Sequence, residues 1–259
     1  LRANMEEIQR WCRPAGIDVA GVFKCTNGMV SVAGDFMDTG ARWIASSRME
    51  QLARVKEAGL DIPTMMIRVP MITELDDLLE ICDYSLQSEV KTMTALNEKA
   101  AAAGRTHNVI LMEDVGDLRE GYEFVEELVE AAEIVENQLK SLHLAGIGTN
   151  LGCTGSVKPT GIKMQELADM AEAVEKAIGR ELEIVSGGAS SSLMPVFDNE
   201  MPAKINMLRI GDIHFTGDFG DMKTAYDRSE TDALHGDAIT LAAEVIEVKT
   251  KHSHPIGEL

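Results

Sequence analysis

Short apolar runs alternate with longer amphipathic segments along nearly the whole chain. The apolar runs are rich in β-branched residues and are hydrophobic at consecutive positions, which is typical of strands buried on both faces of a parallel sheet. Eight strands are predicted on this basis: Asp18–Phe23, Arg42–Ser46, Thr64–Arg68, Asp83–Gln87, Asn108–Glu113, Leu142–Gly148, Leu182–Ser186 and Ile205–Ile210.

The segments between these strands carry apolar residues at helical spacing, most clearly Tyr122–Leu139 and Lys163–Ile178. A capping box at Ser47–Glu50 predicts the start of another helix, Met49–Ala58. Parallel strands need helical crossovers, and eight successive strand–helix units favour a (β/α)8 TIM barrel. An open, doubly wound α/β sheet is the alternative.

The last part of the chain follows a different pattern. Ala238–Thr250 alternates apolar and polar residues and predicts an antiparallel strand, the start of a β-rich domain. Leu1–Trp11 already has a helical pattern, so the first residues of the domain are expected to be missing. We therefore assign residues 1–236 to the barrel and residues 237–259 to the beginning of a truncated C-terminal β domain.

Composition excludes several classes of partner. The formal net charge of −19 repels nucleic-acid backbones, and no apolar run approaches the length of a membrane span. A chain of this size needs no disulfides, so reduced thiols and a cytoplasmic location are expected. His252 and His254 lie in a polar tail, and no metal site is expected there. The four cysteines are far apart and form no CxxC pair: Cys12, Cys25, Cys82 and Cys153.

The residues that follow the predicted strands indicate the chemistry, because active sites of this fold lie at the carboxyl ends of the strands. Gly187–Ser192 after strand seven and Gly211 after strand eight offer backbone amides and hydroxyls to a phosphate. Lys24 follows strand one and could form an imine. Turn formation and a surface lysine are the ordinary explanations of each feature alone. The combination favours a phosphate-bearing aldehyde, pyridoxal 5′-phosphate.

Five ordered motifs carry a resemblance to a known family. They are Gly21–Lys24, Asp114–Gly121, Ile147–Leu151, Val185–Leu193 and Leu208–Asp212, and the second fits the pattern D-x-G-x-x-R-x-G at every fixed position. Together they resemble the alanine racemase-like, fold-type III pyridoxal-phosphate enzymes, most closely the ornithine racemase branch. The resemblance covers nearly the whole chain.

The resemblance implies a role for each matching residue. Lys24 would hold the cofactor as a Schiff base and act as acid/base on one face of the substrate α-carbon. Arg119 would be a second catalytic residue, near the cofactor's phenolic oxygen and the substrate carboxylate. The other positions would bind the cofactor: Asn150 beside the ring, Arg209 at the pyridine nitrogen, and Ser190, Gly211 and Asp212 (through its backbone amide) at the phosphate.

The implied activity is racemisation of ornithine, another basic amino acid, or alanine by a cytoplasmic homodimer. The family's second acid/base, a tyrosine from the β domain of the partner subunit, matches none of Tyr84, Tyr122 and Tyr226. Met112 replaces a lysine that supports the substrate arginine in many alanine racemases, which argues against a strict alanine racemase. Ala189 replaces an asparagine common in the serine-rich loop.

Three other functions remain open at this stage. One is a non-catalytic barrel that carries pyridoxal phosphate, and another is a related D-amino-acid lyase, whose metal would be bound by the missing domain. The third is a Schiff-base aldolase that works without a cofactor.

Overall fold

The computed structural model of the chain describes residues 1–152, 157–219 and 228–258, so Cys153 and Tyr226 lie outside these ranges. Within them, eight parallel strands form a closed barrel in sequence order, and the last strand pairs with the first. The predicted (β/α)8 barrel is therefore confirmed, and the open sheet is excluded. The strands are β1 (Asp18–Val22), β2 (Trp43–Ser46), β3 (Thr64–Met66), β4 (Tyr84–Gln87), β5 (His107–Glu113), β6 (Leu142–Thr149), β7 (Ile184–Ser186) and β8 (Met207–Ile210).

Helices follow every strand in the described part of the chain, and one further helix precedes the barrel. They are α1 (Arg2–Cys12), α2 (Val30–Thr39), α3 (Met49–Glu57), α4 (Leu75–Ile81), α5 (Val90–Ala102), α6 (Val125–Gln138), α7 (Gly161–Ile178), α8 (Leu193–Phe197) and α9 (Ile213–Thr216). None of these helices is long and apolar enough to cross a bilayer.

The predicted capping box at the start of α3 is wrong. Arg48 is the N-cap residue, and no side chain caps the helix. The hydroxyl of Ser46, at the end of β2, instead accepts from the Arg48 amide at 3.1 Å and donates to Gln51 Oε1 at 2.6 Å. A buried residue of the strand thus takes the place that the sequence pattern gives to Ser47.

Alternate residues of each strand face opposite sides of the barrel wall. Met65, Met112 and Met207 pack in the barrel interior, whereas Val109 and Leu111 pack outward in the layer beneath the helices. Large side chains therefore fill the interior, as in other closed eight-stranded barrels. In the described part of the barrel interior, space for a ligand remains at the carboxyl ends of the strands.

Asn4 ties α1 to the segment that follows the barrel. Its side-chain amide donates to the carbonyls of His214 and His235 at 3.0 and 2.9 Å, and its carbonyl accepts from the His235 amide at 2.7 Å. The residue is completely buried. This side chain thus satisfies one buried backbone group, the His214 carbonyl, and two partly buried ones of His235.

The strand predicted at Ala238–Thr250 is not formed in the described residues. Apolar side chains of this segment, among them Leu241 and Ile246, are more than 90% exposed. A strand needs a neighbouring edge for its backbone hydrogen bonds, and the closed barrel offers none. The alternation alone does not make this segment a strand.

Candidate active site

A cavity of about 240 Å³ opens at the carboxyl ends of the strands. The seven residues to which the resemblance assigns a role all line it. The lining residues are Val22, Lys24, Ile67, Arg119, Asn150, Leu151, Gly152, Ala189, Ser190, Ser191, Arg209, Gly211 and Asp212. Three cationic side chains and a single carboxylate, that of Asp212, belong to this set. The cavity is therefore basic although the chain as a whole carries a charge of −19.

Lys24 reaches the cavity from a short 3₁₀ turn, Lys24–Thr26, immediately after β1. The turn is held by the Thr26 hydroxyl, which donates to the carbonyl of Phe23 at 2.8 Å, and by Gln51 Nε2, which donates to the Lys24 carbonyl at 3.4 Å. Among the described residues, no carboxylate forms an ion pair with Lys24 Nζ. The amine is thus presented to the cavity without a neutralising partner there.

Arg209 is the most deeply buried cation of the site, with 3% of its surface exposed. It belongs to the inward-facing series of β8, two residues after Met207. Its Nη1 donates to the Ser186 hydroxyl, and its Nη2 donates to the Thr149 carbonyl at 2.7 Å and to Asn150 Oδ1 at 2.5 Å. The Nε–H and the second Nη1–H have no acceptor among the described residues, so both remain available as donors.

Burial lowers the pKa of Arg209 to about 10, with Arg119 lowering it further and Glu120 opposing the shift. The guanidinium therefore stays protonated at neutral pH. A Cβ atom at Gly148 would lie 3.3 Å from Arg209 Nη1 and 3.0 Å from Ser186 Cβ. Glycine at position 148 thus leaves the space that the guanidinium occupies.

A carboxylate that sequence analysis did not identify joins two of the lining residues. Glu120 Oε1 accepts from Asn150 Nδ2 at 2.6 Å, and Glu120 Oε2 lies 3.2 Å from Arg119 Nε. Glu120 directly follows Arg119 within the D-x-G-x-x-R-x-G motif, so the sequence alone shows that it lies near the site. Its pairing with Asn150 depends on how two separate loops meet, which the sequence does not give.

The loops after β7 and β8 meet at one end of the cavity. Ser190 donates through its hydroxyl to Asp212 Oδ1 at 2.6 Å, and the Gly211 amide donates to Ser190 Oγ at 3.3 Å. The amides of Ser190 and Asp212 have no acceptor among the described residues. Two open amides, a hydroxyl and a close glycine form a small anion cradle at this end.

The residues present fit pyridoxal phosphate in three respects. The cradle suits a phosphate ester, Arg209 retains N–H donors for a ring nitrogen, and Lys24 supplies a primary amine for an aldehyde. Because all three groups line one cavity, a single ligand can meet them together. Among the described residues, no cluster of three or more His, Cys, Asp or Glu side chains is arranged for a metal ion.

One strongly perturbed group does not line this cavity. Glu113 ends β5 on its outward face and is 1% exposed, and neither carboxylate oxygen has a hydrogen-bond partner among the described residues. Burial raises its pKa to about 8, the nearby carboxylates Glu166 and Asp114 add to the rise, and Lys163 opposes it. We assign no part in catalysis to this residue.

Comparison with known proteins agrees with this geometry. The chain is 35% identical, over its whole length, to ornithine racemase of Acetoanaerobium sticklandii and to lysine racemase of Thermotoga maritima, and it covers 71% and 72% of them respectively. The fold matches the alanine racemase of Streptomyces lavendulae with a TM-score of 0.67 at 20% identity, over 81% of this chain and 55% of that structure. The chain thus spans about half of the solved structure and somewhat more than two thirds of the two relatives.

The sequence profile described as "Alanine racemase, N-terminal domain" matches residues 1–218, which is the barrel and the loops that carry the cavity. This chain belongs to the alanine racemase N-terminal domain family.

Proposed function

We propose that this chain is the cofactor-bearing barrel of a pyridoxal-phosphate-dependent amino-acid racemase that acts on ornithine or another basic amino acid. The observation that carries the proposal is the single cavity in which Lys24, Arg209 and the Ser190–Asp212 cradle face one ligand. Racemase activity is also what the family and the two relatives at 35% identity support.

Different groups of the cavity would bind the cofactor and transfer the proton. Ser190, Gly211 and the Asp212 amide would bind the phosphate, and Asn150 would lie beside the ring. Lys24 would supply the amine that holds the aldehyde and, once the substrate amine has displaced it there, would take the proton from the substrate α-carbon, or return it, on one face. When bound, pyridoxal phosphate withdraws electrons from that carbon and makes its proton removable.

Arg209 would control how far the electrons are withdrawn. A guanidinium with a pKa of about 10 donates a hydrogen bond at neutral pH and keeps its own proton. A ring nitrogen that accepts from it therefore stays largely unprotonated. This arrangement suits a racemase, which must return the proton quickly and avoid side reactions.

Arg119 would bind the substrate carboxylate, because it lines the cavity and its guanidinium is oriented by Glu120. The preference for a basic substrate rests on the two relatives rather than on a carboxylate seen in the cavity. Efficient racemisation of alanine, without turnover of ornithine or lysine, would refute this preference.

The domain division and the assembly are also proposals. We infer that residues 1–236 form the cofactor-binding domain and that residues 237–259 belong to a second, β-rich domain. We further propose a homodimer, to be tested by light scattering of the full-length protein. A cytoplasmic location is supported by the free thiols of Cys12, Cys25 and Cys82.

The first experiment is a visible absorption spectrum of the full-length protein with pyridoxal phosphate, followed by borohydride reduction and peptide mapping. The expected result is a visible band that reduction abolishes, with the cofactor label on Lys24. A Lys24→Ala variant serves as the control and should show no such band. A label on another lysine, or no band in the wild-type protein, would refute the proposed site; chiral assays with L-ornithine, L-lysine and L-alanine then test the reaction.

A further inference from the structure

We propose that Glu120 is a positioning residue that fixes the Asn150 side-chain amide and, through it, the guanidinium of Arg209. This inference rests on the proposed function, in which Arg209 contacts the cofactor ring. It adds a residue that does not itself line the cavity.

The orientation of Asn150 follows from its two neighbours. Arg209 Nη2, which can only donate, lies 2.5 Å from Asn150 Oδ1, and Glu120 Oε1, which accepts, lies 2.6 Å from Asn150 Nδ2. Turning the amide over would place donor against donor and oxygen against oxygen. Both contacts therefore select one orientation, and the contact with Glu120 is charge-assisted.

Glu120 is itself held in place from both sides along the chain. Before it, Asp114 Oδ1 accepts from the amides of Gly116 and Leu118 at 2.8 and 3.0 Å, and Leu118 takes a left-handed φ of 57°. After it, Tyr122 pairs with the end of β5, its amide donating to the Met112 carbonyl at 2.9 Å. The loop that carries the carboxylate is thus held by local hydrogen bonds to Asp114 on one side and by pairing with β5 on the other.

The close approach at Gly121 adds to this restraint. Its φ is +142°, and a Cβ atom there would lie 2.5 Å from the Glu113 carbonyl carbon. Only glycine lets the backbone return against β5 directly after Glu120. The Glu120 side chain is 18% exposed, so its contacts with Asn150 and Arg119 are largely shielded from water.

The negative charge of Glu120 also stabilises the protonated guanidinium of Arg209. Glu120 raises the pKa of Arg209 against the effects of burial and of Arg119. A neutral side chain at position 120 would leave two guanidinium groups facing the cavity without this balancing charge. Replacement of Glu120 is therefore expected to loosen Arg209 as well as Asn150.

The test compares Glu120→Gln with Glu123→Gln, which removes the same charge three residues further along, where the side chain is exposed and makes no ion pair among the described residues. The first readout needs no cofactor: exchange of the Arg209 guanidinium protons with water, followed by NMR in the full-length protein and assigned with Arg209→Lys. We expect faster exchange in Glu120→Gln and no change in Glu123→Gln. Equal exchange in the two variants would overturn the proposal.

The second readout uses the loaded enzyme. Glu120→Gln should shift the visible absorption band of bound pyridoxal phosphate and lower kcat about tenfold, the effect of one charge-assisted hydrogen bond. If Glu120 acts on Arg209 through Asn150, the loss of kcat in the double variant Glu120→Gln/Asn150→Ala should be smaller than the product of the two single losses, although the contact of Glu120 with Arg119 is lost as well. Full additivity of the two effects would contradict the proposal. A wild-type protein without a band at Lys24 would refute the proposed function instead, and the proton-exchange comparison would still decide the role of Glu120.

Discussion

The Ser190 hydroxyl donates a hydrogen bond to Asp212 Oδ1 at 2.6 Å, across the two loops that form the anion cradle. The same hydroxyl oxygen accepts from the Gly211 amide at 3.3 Å. A phosphate that enters the cradle must therefore compete with a carboxylate for the Ser190 proton. The Asp212 amide favours an anion here, whereas the Asp212 side chain opposes it.

Opposite changes in cofactor affinity follow for the two partners of this hydrogen bond. Ser190→Ala removes a donor and should weaken binding of pyridoxal phosphate about tenfold. Asp212→Asn keeps the shape of the side chain and removes its negative charge, so binding should become tighter by roughly threefold to tenfold. Fluorescence titration of the full-length protein measures both dissociation constants.

Asp232→Asn is the matched control, because this exposed aspartate lies outside the cavity lining and its loss gives the same change in net charge. Its dissociation constant should equal that of the wild-type protein. Weaker binding by Asp212→Asn would show that the carboxylate supports the cradle rather than opposing the phosphate.

The barrel and the positions of the site residues could be predicted from the sequence for a physical reason. Strands buried on both faces are apolar at consecutive positions, and the carboxyl ends of parallel strands meet at one mouth. Lys24 after β1 and Arg209 near the end of β8 could therefore be placed in one cavity before any contact was known. Local pattern and fold topology suffice for this level of detail.

Features that depend on contacts between distant segments could not be predicted. The pairing of Glu120 with Asn150 requires the loops after β5 and β6 to meet. At the start of α3, the predicted capping by Ser47 is replaced by a hydrogen bond from the Arg48 amide to Ser46 of β2. The predicted strand Ala238–Thr250 has the correct alternation but no edge to pair with among the described residues. In each case tertiary contacts decide what local propensity leaves open.

A methyl group at position 148 is expected to disturb the ring-binding side of the cavity. In Gly148→Ala the new Cβ would lie 3.3 Å from Arg209 Nη1 and 3.2 Å from the Ser186 carbonyl oxygen, tighter than ordinary contacts. Because Arg209 is enclosed by Ser186, Thr149 and Asn150, the guanidinium has little room to move. We expect a shifted absorption band for bound pyridoxal phosphate and about tenfold lower kcat.

Gly104→Ala provides a comparison, because no atom lies within 4 Å of its added Cβ, although its φ of +64° causes backbone strain. This variant should lose some thermal stability and keep the wild-type spectrum. An unchanged spectrum in Gly148→Ala would show that Arg209 tolerates the added methyl group.

Loss of Asn4 should destabilise the fold without changing the cavity. Asn4→Ala would leave the carbonyls of His214 and His235 and the amide of His235 without their partner. Buried backbone groups left unpaired each cost about 1–3 kcal/mol, less where water can enter. We expect a loss of roughly 2–4 kcal/mol in the free energy of unfolding, measured with urea, and unchanged affinity for pyridoxal phosphate. A loss below about 1 kcal/mol would show that water replaces these contacts.

The buried Glu113 should make the protein less stable as the pH rises. Its pKa is about 8 in the folded chain and about 4.5 in the unfolded chain, so between these values the folded state binds more protons. The contribution of Glu113 to the free energy of unfolding should therefore fall from about pH 4.5 to about pH 8 and then level off, by at most ~5 kcal/mol, and it should dominate the pH dependence above about pH 6.5. In Glu113→Gln this decline should disappear, and urea unfolding at a series of pH values measures it. An equal decline in both proteins would place the titrating group elsewhere.

Two buried histidines should produce the opposite dependence at lower pH. Burial lowers the pKa of His107 to about 4 and that of His214 to about 3, whereas both would titrate near 6.5 when unfolded. Below about pH 6.5 the unfolded state therefore binds more protons, and stability falls as the pH falls. From about pH 4.5 to 6.5 two histidines act against the single Glu113, so these groups together place maximal stability near pH 6.5.

His214 packs edge-on against Phe36, and no ring nitrogen of His214 has a hydrogen-bond partner among the described residues. The variant His214→Leu should therefore retain the packing and lose less stability at low pH than the wild-type protein. If the free energy of unfolding falls equally below about pH 6.5 in His214→Leu and in the wild-type protein, His214 is not the source of the fall.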